Sequence, residues 1–188
     1  MGELVDGTLD LSGDVRPRGV PVTISPTAAH VAASMGVWRY YRMRVAGDAD
    51  LCRVPQRADR CWYDAIIGAL GEMALAVHLR LKWFPTLGPD GDWGDVGGWQ
   101  VKTTVWQPLR TIRTAGPHLI IPSQETTPRP YVLVHGDGFT RWQIAGWLPA
   151  DEARQSCWLV YEQGRPAYWI PASQLRSWPP AGDGAAAA

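Results

Sequence analysis

The chain has 188 residues, 46% of them apolar, enough for one domain with a buried core, which excludes a wholly disordered polymer. Its 18 basic and 18 acidic residues cancel, which excludes a protein that is basic all over but leaves room for a localised basic cleft. Apolar runs are only a few residues long and the N-terminus, MGELVDGTLDL, is acidic. Neither a bilayer span nor a signal segment is therefore expected, and the expectation is a soluble, cytoplasmic protein without a membrane partner.

Residues 1–24 read as an N-terminal arm with a short edge strand around Val20–Ile24. Ser25-Pro26 has the form of an N-cap followed by a first helical residue. It opens a helix over 27–45, for which Val31, Met35, Trp38 and Met43 are the expected inward face. The distal end of that helix interleaves Arg39, Arg42 and Arg44 with Tyr40 and Tyr41. Basic and aromatic groups in alternation suit a nucleic-acid backbone, and equally a favourable helix C-terminus. After a polar linker, a second helix is expected from Asp59 to Leu79, with an apolar stripe of Trp62, Ala65, Ile66, Ala69, Leu70, Met73, Ala76 and Val77. Glu72 falls amid the small residues of GALGEMALA. Such a carboxylate either takes a partner or a metal in the interior, or occupies the solvent face.

Cys52, Cys61 and Cys157 are odd in number, widely spaced and without a CxxC, so incidental thiols are expected rather than a disulfide framework or a zinc site. The basic residues comprise 16 arginines and only two lysines, Lys82 and Lys102. In a chain so biased toward arginine, a retained lysine points to a position that needs a compact charge or a proton donor.

Lys102 lies in the most informative stretch, GDWGDVGGWQVKTT over 91–104. A Gly-rich acidic turn leads into a period-two strand. Gln100 and Lys102 then share one face, with Trp99, Val101 and Thr103 on the other. Asp92 and Asp95 precede them. Oxygen ligands beside a lysine are the groups that metal-assisted phosphodiester cleavage uses. Beyond an ambiguous segment carrying Arg110 and Arg113, the remaining expectations are a strand at 118–121, a loop over PSQETTPRP, and a hairpin of YVLVH and FTRWQIAGW around Gly136-Asp137-Gly138. A short helix near 149–152, a short strand over 168–170 and an unfolded tail over 177–188 complete the reading, with 25–176 as a single domain.

Glu72 on a helix, Asp95 and the Gln100-x-Lys102 pattern together resemble the PD-(D/E)XK nuclease superfamily. The hairpin with its GW and the later PAYWIPASQL resemble its small phage- and prophage-type members. That resemblance covers 59–175 and implies a restriction-endonuclease-like α/β (α+β) fold, a mixed central β-sheet flanked by helices. It implies a metal-dependent deoxyribonuclease, with Asp95, Gln100, Lys102 and Glu72 as catalytic residues. Mg²⁺ or Mn²⁺ would be held by Asp95, the Gln100 oxygen, the Val101 carbonyl and Glu72, with Asp92 the alternative to Asp95. DNA would be the partner, met by Arg39, Arg42, Thr103, Arg110 and Arg113, and a homodimer is an option the family uses to cut both strands. Gln100 stands where many members have a carboxylate, and an amide oxygen is a poorer ligand for a hard cation. A catalytically silent DNA-binding or assembly protein of the same fold therefore stays open, as does an unrelated interaction protein using its 11 tryptophans as anchors.

Overall fold

The strand Tyr131–Gly136, YVLVHG, is buried at all six positions, as a central strand with both faces covered must be. In the computed structural model, which describes residues 19–45, 58–85, 95–105, 116–162 and 165–178, this is β4. The elements run β1 (Val20–Thr23), α1 (Pro26–Val45), α2 (Ala58–Leu79), β2 (Gln100–Val105), β3 (His118–Pro122), β4, β5 (Arg141–Leu148), α3 (Ala150–Ala153), β6 (Leu159–Glu162) and β7 (Arg165–Pro171). One sheet has the order β1-β5-β4-β2 and a second the order β3-β7-β6. The first sheet is mixed: β2 runs parallel to β4, while β1–β5 and β4–β5 are antiparallel.

Three layers follow from the alternation of side chains along the strands. Val132 and Val134 of β4 face a core built with Ala29 and Ala32 of α1 and Leu70, Ala74 and Leu75 of α2. Tyr131 and Leu133 face the opposite core, with Leu119, Ile121 and Ile170 of the second sheet. The expected central mixed sheet with flanking helices is thus present, with helices on one face and a small antiparallel sheet on the other.

Local chemistry explains the boundaries. The Ser25 hydroxyl accepts the Ala28 N–H at 3.1 Å, capping α1 as its Ser-Pro start requires. The hairpin between β4 and β5 is closed by Asp137, whose Oδ1 accepts the N–H groups of Phe139 (2.8 Å) and Arg141 (3.1 Å).

The expected inward face of α1 is corrected. Val31 and Trp38 point outward, and the seam against α2 is made by Ala29, Ala32 and Gly36. Small residues let two helix backbones approach closely, and that outweighs hydrophobicity in choosing the inner face. In α2, Trp62 and Val77 of the expected stripe are exposed, while Ala69, Leu70 and Ala76 are buried. The fold also extends past the expected domain end at 176. Trp178 is buried against Trp99, centroids 4.9 Å apart, and its Nε1 donates to His78 Nε2 at 2.8 Å. Cys61, expected as an incidental thiol, is disulfide-bonded, and Cys157 is free and exposed. Among the described residues no helix is long and apolar enough to cross a membrane.

Candidate active site

The site is assembled by a two-residue hairpin. Gly97 and Gly98 both have positive φ, 55° and 83°, so Val96 and Trp99 can pair across a turn that residues with a Cβ resist. The Asp95 N–H donates to the Trp99 carbonyl at 2.8 Å. This fixes Asp95 beside the start of β2, the outermost strand of its sheet among the described residues.

Strand geometry then supplies its partners. The Gln100 N–H points inward to the Pro130 carbonyl, 2.9 Å, so the backbone groups of Val101 point outward. The Val101 N–H donates to Asp95 Oδ2 at 2.7 Å, and Gln100 Nε2 donates to the same oxygen at 2.9 Å. The Val101 carbonyl opens on that same outer side.

Glu72 reaches this edge from the helical layer, 5% exposed. It is there because Gly71 has no side chain: a Cβ would overlap the Thr103 side chain, so α2 can lie directly on β2. Arg39 grips both carboxylate oxygens, Nη1 to Oε1 at 2.5 Å and Nη2 to Oε2 at 2.6 Å, and Trp83 Nε1 adds a third donor at 3.2 Å. Of the two alternatives open for Glu72, the structure thus takes the interior one with a partner. Burial alone would lower the Arg39 guanidinium, but Glu72 and Asp95 together hold it above its ordinary value.

Asp95 is the electrostatically exposed member of the group. Burial first, then the negative charge of Glu72, raise its carboxyl from 3.8 to about 7, against the opposing pull of the Val101 N–H, Lys102 and Arg39.

The expected residues are distributed as follows. Asp95, Gln100 and Val101 are in direct contact, Glu72 and Lys102 lie within electrostatic reach of Asp95, and Lys102 pairs with Glu125 at 2.6 Å. Thr103 is turned toward α2, its hydroxyl buried without a hydrogen bond among the described residues. Arg39 is engaged with Glu72, and Arg42 is exposed near the end of α1. Asp92, Arg110 and Arg113 lie outside the described residues. Among the described residues, no group of three or more His, Cys, Asp or Glu side chains could hold a metal ion. The groups gathered on Asp95 are instead two N–H donors, the Gln100 side-chain amide and the Val101 backbone.

Sequence reasoning missed Arg39 as the partner of Glu72, Trp83 as its third donor, and Glu125 as the partner of Lys102. The partners are 33, 11 and 23 residues apart in sequence, and no local pattern announces them. Compared with known proteins, the chain matches no family model, no curated protein and no solved structure.

Proposed function

We propose that the protein is a metal-dependent deoxyribonuclease, a small nuclease of the PD-(D/E)XK kind that hydrolyses phosphodiester bonds. The observation that carries this reading is Asp95, a buried carboxyl at about 7 with Gln100 and the Val101 backbone gathered on it and Lys102 nearby.

The donor chemistry fits Mg²⁺ or Mn²⁺, which favour hard oxygen ligands and keep several positions for water and phosphate. Asp95, the Gln100 amide oxygen and the Val101 carbonyl would hold the ion. A divalent cation there supplies a Lewis acid beside the phosphodiester. Gln100 now turns its NH₂ toward Asp95, and rotating its terminal amide presents the oxygen instead. Glu72 fits the role of ligand less well, because both its oxygens are held by Arg39. Its part in the resting protein is to fix Arg39 at the site and to press on Asp95 with its charge. Lys102 would orient the attacking water and meet the charge that develops on phosphate.

The second reading is a catalytically silent protein of the same architecture that binds DNA or joins an assembly. It is favoured by the internal pairing of Glu72 with Arg39 and of Lys102 with Glu125. Incubation with plasmid, linear and single-stranded DNA in Mg²⁺ or Mn²⁺ separates the two. Cleavage by the wild type, lost in both Asp95→Ala and Lys102→Ala, supports the nuclease. Cleavage that survives in both variants removes these residues from the mechanism, and a wild type that cuts no DNA leaves the silent reading.

A further inference from the structure

Resting on the nuclease reading, we propose that Glu125 is a positioning residue for Lys102, which sets where the ammonium stands at the candidate site. Lysine carries its charge on four flexible carbons, so a site that needs the charge at one point must hold it there. Among the described residues the group that pairs with it is the Glu125 carboxylate. Glu125 Oε2 lies 2.6 Å from Lys102 Nζ, and the two side chains are only 22% and 21% exposed.

The loop between β3 and β4 that carries Glu125 is itself anchored. The Glu125 N–H donates to the Pro122 carbonyl at 3.0 Å, and Arg154 Nη1 donates to the Glu125 carbonyl at 3.3 Å. Arg154 in turn donates through Nε to the Ala150 carbonyl at 3.1 Å, tying the loop to α3. Ser123 bonds the Pro166 carbonyl at 3.1 Å, tying its start to β7. Tyr131, the register partner of Gln100, forms the wall on the same face, with its ring centroid 5.9 Å from Nζ. Burial first, and the nearby Glu125 charge, hold its phenol above its ordinary range, so the wall stays uncharged.

The Glu125 carboxylate also bears on the Tyr131 phenol beside it, so the group that meets Lys102 stands against the wall of the site rather than free in solvent.

The test uses the fact that Lys82 and Lys102 are the only lysines. Lys82 is exposed and serves as the internal reference. Limiting amine-reactive reagent is applied to wild type, Glu125→Gln and Glu125→Asp, with modification at each lysine read by peptide mass spectrometry and cleavage kinetics measured in parallel. In Glu125→Gln the Lys102 to Lys82 labelling ratio rises about threefold or more. Its kcat falls about tenfold with KM steady, as expected when a group acting through orientation is lost. Glu125→Asp, which keeps the charge, restores part of both. In a Lys102→Ala background, Glu125→Gln costs no further activity. An unchanged labelling ratio overturns the inference whether or not the protein cuts DNA. So does a raised ratio with wild-type kcat, since Glu125 then serves the fold alone. A wild type that cuts nothing removes the nuclease reading, and the labelling ratio still decides whether Glu125 holds Lys102.

Discussion

Replacing Asp95 with asparagine is expected to make the protein more stable at pH 8, although it removes the central residue of the proposed site. Asparagine has the same shape, and its amide oxygen can still accept the Val101 N–H that now donates to Asp95 at 2.7 Å. What it loses is a charge that the fold disfavours. The Asp95 carboxyl is raised from 3.8 to about 7 on folding, so between those values the folded state holds a proton that the unfolded state has released. Stability from this group is therefore full below pH 3.8, declines as pH rises, and is gone above about 7. About three units at 1.36 kcal/mol each set a ceiling of about 4 kcal/mol. Partial hydration and rearrangement of Gln100 bring the expected gain to about 2 kcal/mol, or about 4–8 °C in Tm for a chain of this size. The assay is thermal unfolding of both proteins from pH 4.5 to 8.5 in the presence of a chelator. The difference should be small at pH 4.5 and grow through neutrality. A variant less stable than wild type at pH 8, or a gain independent of pH, would refute the electrostatic account of Asp95. Divalent cation should raise the Tm of wild type and leave Asp95→Asn nearly unchanged.

Three further outcomes follow from the packing. Glu72→Gln removes the charge that part-buried Arg39 grips through both terminal nitrogens, and a loss of about 3–5 kcal/mol in denaturant unfolding is expected. Gly71→Ala forces a methyl group onto Thr103, costing about 1–3 kcal/mol; adding Thr103→Ala should recover part of that loss, and no recovery would remove the close approach as its cause. Burial lowers His78 below its ordinary 6.5, so the folded state favours the neutral ring that accepts the Trp178 N–H. That contribution is present above 6.5 and is lost as pH falls through the lowered folded value. The imidazole resonances of His78, followed by NMR titration, should move closer to 6.5 in Trp178→Phe.

Local chemistry was legible before any coordinates. Ser25-Pro26 announced the start of α1, the Gly-rich acidic run announced a turn before β2, and YVLVH announced β4 as a strand, though not its place at the centre of the sheet. What could not be read was which face of α1 turns inward. Val31 and Trp38 carry the hydrophobicity, yet Ala29, Ala32 and Gly36 permit the approach to α2. β6 was missed because four residues make too short a pattern. Spacing put Asp95, Gln100 and Lys102 near one another, and Asp95 and Gln100 are in contact. The partners Arg39 and Glu125 are brought there by tertiary folding alone, 33 and 23 residues away in sequence.

The contact between the Gln100 amide and Asp95 explains what a neutral residue achieves at that position. A glutamate there would stand about 3 Å from Asp95, and two carboxyls so close share one proton rather than both ionise. Such a dyad would bind a cation more strongly but would leave the empty protein with a repulsive knot at its sheet edge. The amide avoids this because it carries no charge: it offers hydrogen to Asp95 here, and in the proposed reaction its rotation would offer oxygen to a cation. If the proposed nuclease reading holds, Gln100 would trade cation affinity for a resting state tolerable near neutrality, and occupancy of the proposed site would follow the divalent concentration around it.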